Sequence, residues 1–145
     1  MSWTVKGFVD VLQQYKDRAG EFVLEAAKDD EKFILDTNRD QLYNEGTTHQ
    51  PQSLGQYAAS TVQYKARTGQ RYDHVTLRDT GDFHASFFIV YEADEFTIYA
   101  DDEKTALLTS RYGNEILGLT PDNLELLIDR LRPAVVAQFR KMMLS

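Results

Sequence analysis

Cysteine is absent from all 145 residues, which removes disulfide staples, thiolate metal ligands and thiol nucleophiles at once. Histidine is scarce: His49, His74 and His84 fall on three separate segments, without the HExxH, HxH or H-x3-H spacing that sets ligands on one face. No proline occurs before Pro51, so nothing of that kind interrupts the first third of the chain. No apolar run approaches the ~20 residues that span a bilayer. The opening MSWTVKGFVD lacks the apolar core and small-residue cleavage site of a secretion signal, and the expectation is synthesis in the cytoplasm without a membrane partner. Neither GxGxxG nor GxxxxGK[ST] is present, so no phosphate loop is marked. Basic residues are outnumbered 16 to 23, giving a net charge of −7 that repels rather than gathers a phosphate backbone. The densest basic group, Lys65, Arg67 and Arg71, is followed soon after by Asp73 and Asp79.

What is present fits one domain over 1–145, long enough to bury a core. Residues 1–44 read as helical. Val5, Phe8, Val9, Leu12 and Tyr15 recur at three- and four-residue steps, and the stripe resumes at Phe22, Val23, Ala26, Ala27, Phe33, Ile34 and Leu42. Lys16, Asp17, Lys28 and Asp29 fill the other face. Uninterrupted, this helix would reach roughly 60 Å at ~1.5 Å per residue. It must therefore break, with Gly20 the expected place, or overhang its own domain toward a neighbour. A polar loop over 46–55 follows, then a short helix over 58–68 stopped by Gly69. His74–Leu77 begins an extended segment. Phe87–Tyr91 and Phe96–Ala100, joined by EADE, form a β-hairpin whose faces are both apolar. Both are expected to be covered, by the chain's own helices or by another subunit. Asp101 or Asp102 caps a helix ending near Tyr112 and Gly113. Ile116, Leu117 and Leu119 form an elbow, and Thr120-Pro121 opens the last helix. Its expected buried stripe is Leu124, Leu127, Ile128, Leu131, Val135 and Phe139, and Pro133 is expected to kink or split it. The fold class is α+β: a long N-terminal helix and C-terminal helices packed around a small antiparallel hairpin.

Catalytic candidates are few. Asp101, Asp102 and Glu103 lack the glycine-bent ligand spacing of a calcium loop and read as a helix start, where negative charge suits the macrodipole. His84 could meet Asp79 or Asp82 across its turn, yet no nucleophile accompanies it, since Ser86 lacks a nucleophile-elbow context. The histidines read as surface or half-buried groups, and Glu92 with Asp94 as a solvated hairpin tip. Phe87, Phe88, Tyr91, Phe96 and Tyr99 could stack bases, but the basic and glycine residues of an RNA-binding strand are missing. No enzyme, cofactor or metal is expected.

Three segments taken in order carry a resemblance. Leu77, Thr80, Gly81, Phe83 and Ser86 reproduce an L-x-x-T-G-x-[LF]-x-x-S pattern ahead of a hairpin. Upstream, LGQYAASTVQYKARTGQ (Leu54–Gln70) places a threonine and then a lysine before a glycine. Downstream, ILGLTPDNLELLIDRL (Ile116–Leu131) is similar to F-L-G-L-S followed by acidic residues and a terminal helix. Together they resemble the phage tail-completion, or head–tail joining, family of virion morphogenesis proteins. His84 stands where that family usually has Arg or Lys, and RYG (Arg111–Gly113) is the nearest counterpart to its H-x-F-G-type segment. The resemblance implies a structural virion protein, assembled in the bacterial cytoplasm. It would form a homo-oligomeric ring at the head–tail neck or tail top, against neck, portal-adaptor and tail proteins, with DNA passing through its lumen without sequence-specific binding. Motif or contact positions would be Leu77, Thr80, Gly81, Phe83 and Ser86, with Phe88 and Val90 on the hairpin and Leu117, Gly118 and Leu119 in the elbow. The alternatives are another virion protein (adaptor, scaffold or cargo) or a small phage-encoded enzyme.

Overall fold

The computed structural model describes residues 5–92 and 95–144, with side chains from residue 16 onward and at Gln13. The N-terminal helical stretch does break, but not at Gly20. Helix α1 (Val5–Asp29) passes uninterrupted through Gly20, and α2 (Glu31–Asp40) takes over two residues later. The expected break moves to Asp29–Asp30. One interior glycine costs about 1 kcal/mol, which tertiary packing overrides. Asp30 instead leaves the helical conformation (φ −117°, ψ 23°), and Arg130 takes its carboxylate in a two-bonded ion pair. The same guanidinium lies 4.2 Å from the ring centre of Phe33. Val5, Phe8, Val9, Leu12 and Tyr15 lie outside the described side chains. Beyond them Phe22, Ala26, Ala27, Ile34 and Leu42 are buried as their spacing requires, while Phe33 is half-buried and Val23 exposed.

From α2 the chain widens into a π-helical turn at Gln41–Glu45, closed by the Gly46 N–H on the Gln41 carbonyl. Residues 46–55 form the expected loop, held by a Thr47–Ser53 bridge. Helix α3 (Ala59–Arg67) ends at Thr68 and Gly69, where φ is +74°. His74–Leu77 joins no strand; Val75, Thr76 and Leu77 are instead buried in irregular chain. After a single helical turn, α4 (Asp82–Ala85), come β1 (Phe87–Glu92) and β2 (Glu95–Ala100), antiparallel from Phe87↔Ala100 to Glu92↔Glu95. Each strand runs one residue further into EADE than expected, and Ala93 and Asp94 lie outside the described residues. The inner face, with Phe87, Ile89 and Ile98 buried, rests on α1 and α2. Tyr91 anchors it, its hydroxyl donating to Glu31 at 3.2 Å. Burial, reinforced by that carboxylate, pushes the Tyr91 phenol up to about 12. Among the described residues nothing covers the outer face.

Helix α5 (Thr105–Tyr112) starts later than the acidic cap suggested. Asp102 still shapes the entry: its Oδ2 accepts the Lys104 N–H at 3.0 Å, and its carbonyl that of Thr105. A 3-10 turn at Asn114–Ile116 leads into the elbow, and Thr120 Oγ1 accepts the Asn123 N–H at 3.2 Å to cap α6 (Pro121–Leu144). Pro133 does not split α6. It lies on the exposed side, where the carbonyl that loses its partner faces water. The expected buried stripe is narrower than its spacing implies. Leu127 and Leu131 are buried and Val135 and Phe139 half-buried, but Leu124 and Ile128 are exposed, because α6 lies on α1 along one line and those two flank it.

The elbow is clasped to α2 and the π-turn by two amides that are fully buried. Asn38 Nδ2 donates to the Ile116 carbonyl at 3.0 Å, and its Oδ1 accepts the Gly118 N–H at 2.9 Å. Gln41 Nε2 donates to the Gly118 carbonyl at 2.9 Å, while its Oε1 accepts from the Thr120 N–H at 2.9 Å and Asn123 Nδ2 at 2.7 Å. Removing either amide orphans buried backbone groups. Gln41→Ala is expected to cost about 3 kcal/mol in urea unfolding, against under about 0.5 for the exposed Gln63→Ala. Equal effects of the two would refute the clasp.

Candidate functional site

The α3 segment and the Thr-Gly turn build one site around a buried lysine. Lys65 leaves the α3 surface and turns inward, where its Nζ donates to the Arg78 carbonyl and to Gln70 Oε1, each at 2.9 Å. It also lies 4.8 Å from the Tyr57 ring centre, a cation–π contact for the remaining face of the ammonium. Tyr57 is tied to the same stretch, its hydroxyl accepting the Thr76 N–H at 2.9 Å and bonding Thr76 Oγ1 at 3.1 Å. These bonds hold Leu77 in a left-handed conformation (φ +56°), which costs a branched residue about 1–2 kcal/mol. Gly81 (φ +93°) then turns the chain into α4, as a residue without Cβ can do freely. The result is a groove of about 270 Å³ between α3, the turn and α5. Tyr57, Leu77, Phe83, Leu108 and Tyr112 line it, with Arg78, Lys104, Asp79 and Asp82 at its walls.

His84 lies behind that groove and is more buried than expected. Its Nε2 bonds the Thr76 carbonyl at 3.0 Å, and its ring stacks on Phe87 at 5.7 Å. Neither Asp79 nor Asp82 bonds it, so the base-and-orienter pairing is not formed. Arg39 Nε donates to the His84 carbonyl at 2.7 Å. Desolvation is the main cause that holds the imidazole below its usual pKa, with Arg78 and Arg39 adding to it. The chemistry of this cluster is mainly backbone-holding: Lys65, Tyr57 and His84 each bond a backbone carbonyl or N–H, while Gln70 links Lys65 to Asp79.

A second groove, about 450 Å³, runs along β2. Val23, Leu24, Leu117, Leu119 and Leu124 form its apolar wall, and Gly118 and His49 lie at its base. Gly118 has φ +140°, and a Cβ there would come within 2.9 Å of His49 Cδ2. On the outer hairpin face Phe88 and Tyr99, which do not line this groove, stack at 5.7 Å while 40% and 44% exposed. In the strand pair no backbone group outside it bonds either free edge, among the described residues.

The ten positions singled out in the sequence thus divide. Leu77, Phe83 and Leu119 are core residues of this chain. Gly81, Gly118 and Ser86 fix backbone, Ser86 Oγ donating to the Phe83 carbonyl at 2.8 Å. Thr80 is exposed beside the first groove, its Oγ1 accepting the Asp82 N–H at 3.3 Å. Phe88 is exposed, and Val90 and Leu117 are half-exposed. Lys65, Tyr57, Asn38 and Gln41 carried no signal in composition or periodicity; only the Thr-then-Lys spacing of the α3 segment pointed toward Lys65. Among the described residues no group of three acidic or histidine side chains is placed to hold a metal, and no helix is long and apolar enough to cross a membrane. Comparisons with protein-family models, with curated proteins and with solved structures return no match in any of the three.

The buried His84 sets a pH dependence. Its folded pKa lies below the ordinary value of 6.5. As pH falls through about 6.5, the unfolded chain therefore takes up a proton that the folded chain refuses, and stability declines. The melting temperature should fall between about pH 7.5 and 5.5, and His84→Gln, which cannot titrate, should show a flatter profile. Parallel profiles would exclude His84 as the cause.

Proposed function

We propose that this chain is a structural subunit of an oligomeric ring at the head–tail neck or tail top of a tailed bacteriophage, where it forms part of the wall of the DNA conduit. The observation that carries this reading is the uncovered outer face of the hairpin. A stacked Phe88–Tyr99 pair with half-exposed Val90 is apolar surface that the described residues leave open. Two apolar grooves, along α3–α5 and along β2, lie elsewhere on the same chain. One patch and a different receptor on each copy is the arrangement from which a head-to-tail contact closes into a ring. The three segments that resemble the tail-completion family also meet structural requirements here: two build the first groove, and the third is the clasped elbow bordering the second. A net charge of −7 suits a conduit, since an acidic lumen repels phosphates and lets DNA pass without sticking.

Native mass measurement and electron microscopy of the purified protein, alone and with candidate neck and tail proteins, test this reading. A closed ring, located at one vertex of assembled particles, is expected. The double variant Phe88→Ser with Tyr99→Ser should lower ring formation at least about tenfold while leaving the melting temperature nearly unchanged, because both side chains face solvent in the single chain. A wild-type protein that stays monomeric with every partner, or one packaged as dispersed cargo, would rule it out.

A further inference from the structure

Helix α6 leaves a second surface open, on the side facing away from α1. Stepping by three and four from Asp122, one face carries Glu125, Leu126, Asp129, Arg132, Val136, Arg140 and Met143, and every one of them is exposed. The opposite face holds the buried Leu127 and Leu131. Charge on the open face is divided by position. Residues 121–129 carry three carboxylates and no cation, while no carboxylate follows Asp129 to the end of the sequence. The helix dipole favours such a bias only in the first and last turns. It gives no reason for exposed Leu126, Val136 and Met143, 58%, 37% and 64% accessible, to share that face.

We propose that the open face of α6 pairs antiparallel with α6 of a second copy, about a two-fold axis near residues 132–133. Antiparallel pairing sets Glu125 of each copy opposite Arg140 of the other, twice over, with Asp122 beyond it toward the same basic end. Arg132 near the axis keeps its ion pair to Asp129 of its own helix at 3.0 Å, and Leu126, Val136 and Met143 are buried between the helices. Parallel pairing would put carboxylate on carboxylate. The acidic half likewise disfavours nucleic acid or an anionic membrane, which would need a continuous basic face. A contact of two helices is small, below about 1,200 Å², so it forms at elevated concentration or within a larger assembly. It is isologous, unlike the head-to-tail ring contact, and does not depend on that reading; combined with a ring it joins two rings back to back.

The test uses the full chain and two α6 variants, one all-basic (Asp122→Lys, Glu125→Lys, Asp129→Lys) and one all-acidic (Arg132→Glu, Arg140→Glu). In sedimentation at rising concentration, the wild type should self-associate and each variant should do so at least about tenfold more weakly, while an equimolar mixture of the two regains association. Because the chain has no cysteine, orientation can be read directly. A protein with Asp122→Cys should cross-link to one with Met143→Cys and not to itself; self-linking of Asp122→Cys would overturn the antiparallel geometry. If the reversals leave the wild-type mass unchanged the α6 contact is refuted, and a ring that persists through them leaves the ring reading intact. A dimer that the reversals abolish, with no larger species, supports the contact and counts against the ring. A wild type monomeric at all concentrations refutes the contact.

Discussion

Two side-chain amides, Asn38 on α2 and Gln41 at the start of the π-turn that follows it, hold the rest of the molecule in place. The elbow between the 3-10 turn and α6 is buried but irregular, so its carbonyls and N–H groups have no helix or ladder to satisfy them. Asn38 and Gln41 supply those partners, each acting as donor and acceptor at once. The geometry explains neighbouring oddities. Gly118 is required because a side chain would press into His49. The widened turn at Gln41–Glu45 starts at the residue whose side chain must reach the elbow, in keeping with the association of π-turns with specific local demands. Once the elbow is fixed, α6 is aimed along α1, Arg130 reaches Asp30, and the bend between α1 and α2 is set. That bend forms the bed on which the hairpin lies.

What the sequence reveals and what it conceals follows from the range of the forces involved. Features decided within a few residues were legible: the Gly69 and Gly113 stops, the Thr120-Pro121 helix start, and the hairpin with its alternating faces. Features decided by a distant partner were not. The break at Asp30 depends on an arginine 100 residues away, and no periodicity records it. Lys65 reads as a surface cation in α3 until the Arg78 carbonyl and the Tyr57 ring are brought beside it. His84 reads as a possible base because aspartates are near in sequence, yet folding directs its ring to a carbonyl and an aromatic face instead. On α6 the helical period was right, but its buried arc was overestimated. Period gives the direction of a face, and only the neighbouring helix determines its width.

The segments that resemble a virion-joining family mark different things in this fold. Leu77, Gly81, Phe83 and Ser86 hold the turn that launches the hairpin, and they do so from inside the chain. The open surface that the proposed contacts would use lies beside them: Phe88, Val90 and Tyr99 on the hairpin, and the groove walls. Sequence patterns of this kind record where a backbone must bend to present a surface. They need not coincide with the residues that make contact, and Thr80, His84 and Ser86 within the motif are already bonded to backbone.

The proposed assembly of a chain with net charge −7 would have to overcome repulsion between copies, and the two open surfaces would do so by different physics. The hairpin face is aromatic and aliphatic; its attraction comes from water exclusion, which added salt does not screen. The α6 face separates its charges along the helix, so that a copy carrying excess negative charge still presents a local positive half to a neighbour's carboxylates. That attraction is screened over about 10 Å at 0.1 M salt. Salt therefore acts in opposite directions on the two contacts: it relieves the overall repulsion opposing a hairpin-mediated ring, and it weakens the charge pairing across α6. If both proposed contacts form, added salt would release the back-to-back pairing while leaving the ring contact in place, which would separate formation of a ring from its stacking.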